Sequence, residues 1–97
     1  MHPDAIIRAR SRTTDEGGRR RDVVIAGAPY GCVVLVDAEG FDGRFFVADR
    51  TLRLGGTYDL PVKFLCPALA LPKLSFGKSV SLWEGKFVAT GEVVWLA

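Results

Sequence analysis

The sequence predicts an all-β domain that closes into a small six-stranded antiparallel barrel. Several short segments alternate apolar and polar residues with a period of two, and turn residues separate them. No segment shows the 3.6-residue period of an amphipathic helix, and 97 residues are enough for one core only. Closure is favoured over an open sheet because it removes exposed strand edges. We therefore expect residues 1–97 to form one domain, with a two-sheet β-sandwich as the alternative.

The first strand is predicted over residues 4–14, where small or apolar residues alternate with arginines. Its polar face carries three arginines, namely Arg8, Arg10 and Arg12. A loop over residues 15–19 follows, since the paired glycines Gly17 and Gly18 tolerate the positive φ angles of tight turns. Arg20 directly continues the basic run. Residues 1–21 hold six arginines against three acids, whereas residues 22–97 hold seven bases against eight acids, so the net positive charge is N-terminal.

The middle of the chain predicts three further strands. The β-branched run over residues 31–37 is typical of a strand buried on both faces. Residues 38–43 form a six-residue connection to a second strand over residues 44–50, which completes a hairpin. After a reversal at Gly55-Gly56, residues 57–65 alternate again, with Tyr58, Leu60, Val62 and Phe64 on the inner face.

Two prolines predict that the succession of strands is interrupted after residue 65, and two further strands follow the interruption. Residues 66–76 contain Pro67 and Pro72, which disfavour a long helix, so a surface crossing with one short turn is expected. Final strands follow over residues 78–83 and 86–96, joined at a tight turn. In the last strand five residues share a predicted core face, opposite Thr90 and Glu92: Phe87, Ala89, Gly91, Val93 and Trp95.

The composition argues against most catalytic chemistry. The sequence has one histidine, His2, and two cysteines, Cys32 and Cys66, without a C-x-x-C pair. These residues assemble neither a nucleophilic relay nor a usual zinc site, so no enzyme, metal or cofactor is expected. An enzyme that uses Glu84 or Glu92 ranks last. The longest apolar run has five residues, which predicts no membrane span, and we expect a cytoplasmic protein with reduced thiols.

A nucleotide site is not expected either. Gly77-Lys78-Ser79 matches the last three residues of the P-loop motif. The motif also requires a glycine five residues before Gly77, and this sequence has Pro72 there. The stretch also runs into a predicted strand, whereas a P-loop opens a helix.

Three stretches, in this order, resemble the C-terminal β-barrel of elongation factor Tu and related translational GTPases. The first is Glu16-Gly17-Gly18-Arg19, the second is Leu65-Cys66-Pro67-Ala68-Leu69-Ala70-Leu71, and the third combines Gly77, Trp83-Glu84-Gly85 and Val88-x-x-Gly91-x-Val93. The resemblance implies a six-stranded antiparallel barrel without the nucleotide-binding domain of that family. Trp83 stands where the family has an arginine, and the hairpin is one residue shorter.

Two functions follow from these residues. The resemblance implies that Arg19, Arg20 and Gly91 lie on an edge that touches tRNA. Arg8, Arg10 and Arg12 repeat at about 6 to 7 Å along a strand, a spacing comparable to that of phosphates, so an RNA backbone is a possible ligand. The alternative is a solvated face paired with neighbouring acids, which the net charge of only +2 favours.

The first hypothesis is therefore a non-enzymatic protein-interaction module that binds a protein partner or its own copy. Trp83 lies at a turn, on the face opposite Val80 and Leu82, and is the predicted exposed aromatic. Exposed tryptophans are typical of protein interfaces. RNA binding through the N-terminal arginines is the alternative.

Overall fold

The computed structural model describes residues 2–26, 29–47 and 50–97, and these residues form an all-β fold. Within them lie eight strands, one short helix and a 3₁₀ turn over Leu71–Lys73. The bounds are β1 (Ala5–Ser11), β2 (Val23–Ile25), β3 (Tyr30–Val36), β4 (Glu39–Phe45), β5 (Arg50–Leu52), β6 (Thr57–Phe64), α1 (Pro67–Ala70), β7 (Ser79–Trp83) and β8 (Phe87–Leu96).

Six strands close into an antiparallel barrel in the order β1-β6-β4-β3-β7-β8. Closure is made by β1, which pairs with β6 on one side and with β8 on the other. Each barrel strand therefore has two neighbours, which confirms the predicted barrel and rules out the sandwich alternative. The six predicted segments correspond to these six strands, although several bounds differ.

The core lies inside the barrel and is built from alternate positions of each strand. The largest fully buried side chains are those of Phe45, Ile7 and five valines: Val34, Val36, Val62, Val88 and Val93. The crossing over residues 66–76 has no long helix, as predicted. It contains α1 and the 3₁₀ turn where one short turn was expected, and it buries Ala70 and Leu74 against the same core. Neither helical segment of the described residues has the length and apolar character that crossing a bilayer demands.

The β3–β4 hairpin differs from the predicted one. Its connection is a two-residue turn at Asp37 and Ala38, whose φ angles of 49° and 68° have the sign that a type I′ turn requires. Lys78 Nζ donates a hydrogen bond of 2.8 Å to Asp37 Oδ2 and holds the turn against the neighbouring strand. The predicted six-residue connection is therefore wrong, and β4 begins at Glu39.

The glycines of β4 explain that error. A Cβ on Gly43 would lie 2.8 Å from Val62 Cγ2, and one on Gly40 would lie 3.0 Å from Val33 Cγ1. Valine side chains of neighbouring strands thus approach both glycines inside the strand, whereas the sequence suggested a loop. The predicted strand over 44–50 extends into residues 48 and 49, which lie outside the described residues. The prediction that β3 is buried on both faces is also wrong, because its residues alternate between buried and partly exposed.

Two bulges change which residues of β8 face the core. Leu82 pairs with Ala89 but Trp83 pairs with Phe87, so Val88 is an extra residue and both Val88 and Ala89 are buried. A second register shift in the pairing with β1 makes Trp95 the partner of Ile6. Phe87 and Trp95 are consequently 43% and 41% exposed, so their prediction as core residues is wrong. Ala89 and Val93 are buried and Thr90 and Glu92 exposed, as predicted.

The pair formed by β2 and β5 was not predicted. These strands are antiparallel, with Val23 opposite Leu52 and Ile25 opposite Arg50, and they form a ladder separate from the barrel. Ile25 and Leu52 are 4% exposed each and belong to the core cluster, so the ribbon packs onto the barrel. Three-residue strands are too short to show a period in the sequence.

Candidate functional site

Residues from four adjacent strands, β6, β1, β8 and β7, form two polar rows on the outside of the barrel. The pairing register places Asp59, Arg8, Glu92 and Ser79 in one row, and Thr57, Arg10, Thr90 and Ser81 in the next. Directly paired residues share a face, so all eight side chains point outward. All of them except Asp59 border an open groove of about 490 Å³, here called the arginine groove. Two of the predicted RNA-binding residues, Arg8 and Arg10, thus come together with four hydroxyl side chains.

Carboxylates engage both arginines of the groove. Arg8 donates from Nε to Asp59 Oδ1 at 2.8 Å and from Nη2 to Asp59 Oδ2 at 3.2 Å. These hydrogen bonds lower the pKa of Asp59 and raise that of Arg8. Arg10 Nη1 donates to both carboxylate oxygens of Glu16, at 3.0 and 3.1 Å. With Glu92 in the same row, the groove is close to neutral rather than strongly basic.

The loop after β1 is held by its own glutamate. Glu16 Oε1 accepts a hydrogen bond of 2.9 Å from the backbone N–H of Thr13, and the Thr13 hydroxyl accepts one of 3.3 Å from the Glu16 N–H. The bond from the Thr13 backbone, followed by that from Arg10, lowers the pKa of the Glu16 carboxyl. Gly17 has a φ of 84°, and a Cβ on Gly18 would lie 2.4 Å from the carbonyl oxygen of Arg12. The loop geometry therefore favours glycine at position 17, where the backbone is left-handed, and excludes a side chain at position 18, where the Arg12 carbonyl lies too close.

Arg19 links this loop to the β7–β8 turn. Its Nε donates to Glu84 Oε2 at 2.8 Å, and its side chain is only 14% exposed. Nη2 donates to the hydroxyl of Tyr30, and the guanidinium carbon lies 5.4 Å from the centre of the Tyr30 ring. The first and third stretches of the resemblance thus meet at this ion pair. The contacts give Arg19 a role in holding two turns together.

The remaining basic candidates lie apart from the groove lining. Arg12 is partly buried and its backbone N–H donates to the Val88 carbonyl at 2.8 Å, while Arg20 is exposed. Within the described residues, neither side chain makes an ion pair with a carboxylate. The five predicted arginines therefore do not form one continuous basic surface.

Gly91 lies where β1 leaves no room for a side chain on β8. A Cβ at this position would lie 2.3 Å from the Arg8 carbonyl oxygen and 2.9 Å from Ala9 Cα. Both atoms belong to the backbone, so neither can move aside without shifting β1. Gly91 also borders the arginine groove.

Trp83 belongs to an apolar outer surface that the sequence did not reveal. It pairs with Val33 across the β3–β7 ladder and with Phe87 across the β7–β8 ladder, and Leu35 follows on β3. The rings of Trp83 and Phe87 meet edge to face, with centroids 5.0 Å apart at 82°. We call Val33, Leu35, Trp83 and Phe87 the β3–β7 apolar face.

Exposure is distributed differently over this face than predicted. Trp83 is partly buried rather than exposed, and Phe87, predicted to lie in the core, is the exposed aromatic. A groove of about 310 Å³ continues the face toward the β3–β4 turn, between Leu35 and Phe87. Its polar lining consists of the exposed Ser79 and Asp37 and the partly buried Ser81. The extra residue Val88 turns Phe87 outward, and no sequence pattern predicts such a bulge.

Both cysteines are free thiols with different environments. Cys32 is buried inside β3, and its thiol donates to the Trp83 carbonyl oxygen at an S–O distance of 3.4 Å. Burial raises the pKa of the Cys32 thiol. Cys66 is exposed next to α1. In the part of the chain that the structure describes, no three His, Cys, Asp or Glu side chains lie together as a metal site would require.

No protein family's sequence profile matches this chain, and no curated protein is significantly similar to it.

Proposed function

We propose that this protein is a non-enzymatic protein-interaction module that docks a partner on its β3–β7 apolar face. The observation that carries the proposal is the pair of aromatic rings, Trp83 and Phe87, on the outside of the barrel, with Phe87 43% exposed. When a partner covers an apolar side chain, the free energy falls by roughly 25 cal/mol for each Å² of apolar surface removed from water.

The arrangement has the anatomy of a binding surface. Aromatic residues are enriched at interface centres and polar residues at interface rims. Here an apolar centre is bordered by Ser81 on the next register position of β7 and by Asp42, which pairs with Val33. Trp83 is already held against Phe87, so little side-chain entropy is lost when a partner binds.

The proposal includes a kinship with the C-terminal barrels of elongation factor Tu-like proteins and a cytoplasmic location. Support for the kinship is the closed six-stranded antiparallel barrel together with the contact between Glu16-Gly17-Gly18-Arg19 and Trp83-Glu84-Gly85 through the Arg19–Glu84 ion pair. The location is consistent with two free thiols, which persist in reducing compartments.

The test compares two phenylalanines of similar chemistry in different places. Phe87→Ser removes the exposed ring of the apolar face, and Phe76→Ser removes a ring that is 79% exposed before β7. Each variant and the wild type is immobilised and incubated with lysate, and the retained proteins are quantified by mass spectrometry. Sedimentation velocity of the three proteins reports self-association.

We expect a partner, or a second copy, that wild type and Phe76→Ser retain and Phe87→Ser loses. Circular dichroism of each variant confirms that the fold is intact. Equal retention by all three proteins, or retention of nothing together with a monomeric wild type, contradicts the proposal.

RNA binding is the second candidate, and the arginine groove is the observation that favours it. Arg8 and Arg10 stand beside hydroxyl side chains that can donate to phosphate oxygens. To bind phosphates, both arginines would have to exchange the carboxylates of Asp59 and Glu16 for the ligand. This exchange reduces the gain, and for that reason protein docking ranks first.

Fluorescence polarisation with labelled tRNA and a random single-stranded RNA separates the two candidates. Phosphate contacts weaken steeply between about 50 and 200 mM salt. Salt-dependent binding that Arg8→Ala/Arg10→Ala abolishes and Arg20→Ala leaves intact would assign RNA to the groove. No binding at the lowest salt would leave the protein-interaction proposal alone.

A further inference from the structure

A small cavity lies at the end of the barrel where β1 finishes. Its wall includes Ala9 and Ser11 of β1, Tyr30, Tyr58, Leu60 and Leu82, and its volume is about 20 Å³. Apolar groups provide most of the lining. Hydroxyl groups are therefore unexpected in this cavity, and their presence needs a physical explanation.

Ser11 is the polar residue at this site. It is 5% exposed, and within the described residues its Oγ has no hydrogen-bond partner. The other inward positions of β1 are all apolar: Ala5, Ile7 and Ala9. A buried hydroxyl without a partner destabilises the folded state, because it loses the hydrogen bonds that water gives it in the unfolded chain.

The backbone of Ser11 leaves the hydroxyl no role in the neighbouring turn. Its N–H donates to the Gly56 carbonyl at 2.9 Å, and its carbonyl accepts from the Gly55 N–H at 2.8 Å. The backbone of Ser11 thus bonds to both glycines of the turn, and the side chains that bond to the turn are those of Tyr58 and Asp22. The Ser11 hydroxyl can therefore form a hydrogen bond with a molecule inside the cavity.

Two tyrosines add hydroxyls to the same wall. The Tyr58 hydroxyl accepts a bond of 2.9 Å from the Arg53 N–H, and the Tyr30 hydroxyl accepts one from Arg19. A phenol that accepts one bond still has its own proton to donate. A guest in the cavity therefore has both an acceptor and donors within its walls.

We propose that this cavity binds one internal water molecule, held by Ser11 Oγ. Its volume of about 20 Å³ exceeds the roughly 10 to 15 Å³ that a single water needs and is too small for a larger solute. Water can accept from one hydroxyl and donate to another, which satisfies Ser11 and connects β1 to the tyrosines that border the barrel end. The proposal is independent of the proposed function.

Water–protein cross-relaxation by NMR and a crystal structure at high resolution test the wild-type protein directly. We expect one ordered water within about 3.2 Å of Ser11 Oγ and persistent cross-peaks between water and the Ser11 and Ala9 protons. A dry cavity, or a Ser11 hydroxyl that bonds to a backbone carbonyl instead, overturns the proposal.

Thermal unfolding of Ser11→Ala gives an independent readout. If water satisfies the hydroxyl, removing the hydroxyl deprives that water of a partner and lowers the Tm. If the hydroxyl is unsatisfied, its removal raises the Tm, and that result overturns the proposal. Ser79→Ala, which removes an exposed hydroxyl from β7, is the matched control and should leave the Tm unchanged.

Discussion

At the scale of single residues, close approach between strands makes Gly91 irreplaceable. Its missing Cβ leaves room for the Arg8 carbonyl oxygen and Ala9 Cα, 2.3 and 2.9 Å from where a Cβ would stand. We expect Gly91→Ala to lower the free energy of unfolding by about 3 kcal/mol, at the upper end of the usual cost of overpacking. Urea denaturation measures the loss.

Gly85→Ala is the control for this variant. Gly85 has a φ of 73° but nothing within 4 Å of its missing Cβ, so alanine there costs only the left-handed backbone, about 1 kcal/mol. A Gly91→Ala loss no greater than that of Gly85→Ala would show that β1 and β8 can move apart.

The two thiols should differ in reactivity by their environments. Burial of Cys32 raises its pKa and blocks access, while Cys66 is exposed. With iodoacetamide near pH 8 we expect one adduct in the folded protein, located on Cys66 by mass spectrometry, and two adducts in concentrated urea. Cys66→Ser should give no adduct when folded. Rapid labelling of Cys32 in that variant would mean that β3 opens readily.

The Arg8–Asp59 pair predicts a specific acid sensitivity. The hydrogen bond from Arg8 holds the pKa of Asp59 below its ordinary value of 3.8, so the carboxylate stabilises the fold above that value. The contribution disappears as the pH falls through the folded-state pKa. The difference in unfolding free energy between wild type and Asp59→Asn should therefore be constant near neutral pH and shrink below about pH 4.

Urea titrations from about pH 6 to about pH 2.5 measure this difference. Both side chains are about half exposed, so about 1 M salt should reduce the difference at every pH. A difference that grows toward low pH would contradict the assigned sign.

At the scale of strands and turns, period-two alternation predicted β1, β6 and β8 because one face of each is buried. It could not predict bulges. In β8 the single extra residue Val88 moves Phe87 out of the core, and the shift opposite Ile6 does the same for Trp95. Glycine was misleading in β4, where Gly40 and Gly43 make room for valines of neighbouring strands instead of forming a loop.

The candidate sites show the same limit. The sequence placed Arg8 and Arg10 on one face of a strand correctly, but their partners Asp59 and Glu16 depend on the register with β6 and on the loop after β1. The pairing of Arg19 with Glu84 spans 65 residues and could not follow from local spacing. The sequence shows which face of a strand carries charge, whereas the carboxylates that neutralise this charge are brought to it only by the fold.

The Arg19–Glu84 ion pair should couple two turns energetically. Because Arg19 is 14% exposed and Glu84 30%, solvent screens this pair less than it screens the surface pairs. A double-mutant cycle with Arg19→Ala and Glu84→Ala should give a coupling free energy of about 1 kcal/mol. The same cycle for Arg8 and Asp59 should give less. Equal couplings would mean that burial of Arg19 adds nothing.

At the scale of the whole molecule, closure joins the two ends of the chain, since β1 pairs along its length with β8. The barrel strands therefore share one ladder that opens only when the core opens. The β2–β5 ribbon has its own three-residue ladder outside this circuit, and Val24 on it is 73% exposed. Stability should accordingly differ between the barrel and the ribbon.

Native-state hydrogen exchange by NMR tests that difference. Amides of β1, which has a strand on each side, should exchange only through global unfolding, with protection that falls in parallel with global stability when urea is added. Amides of β2 should exchange through local opening, with weaker protection that depends little on urea. Because Ile25 packs in the core, Ile25→Ala should lower both stabilities, whereas Val24→Ala should leave β1 unaffected. Protection of β2 equal to that of β1 would show that ribbon and barrel unfold as a single cooperative unit.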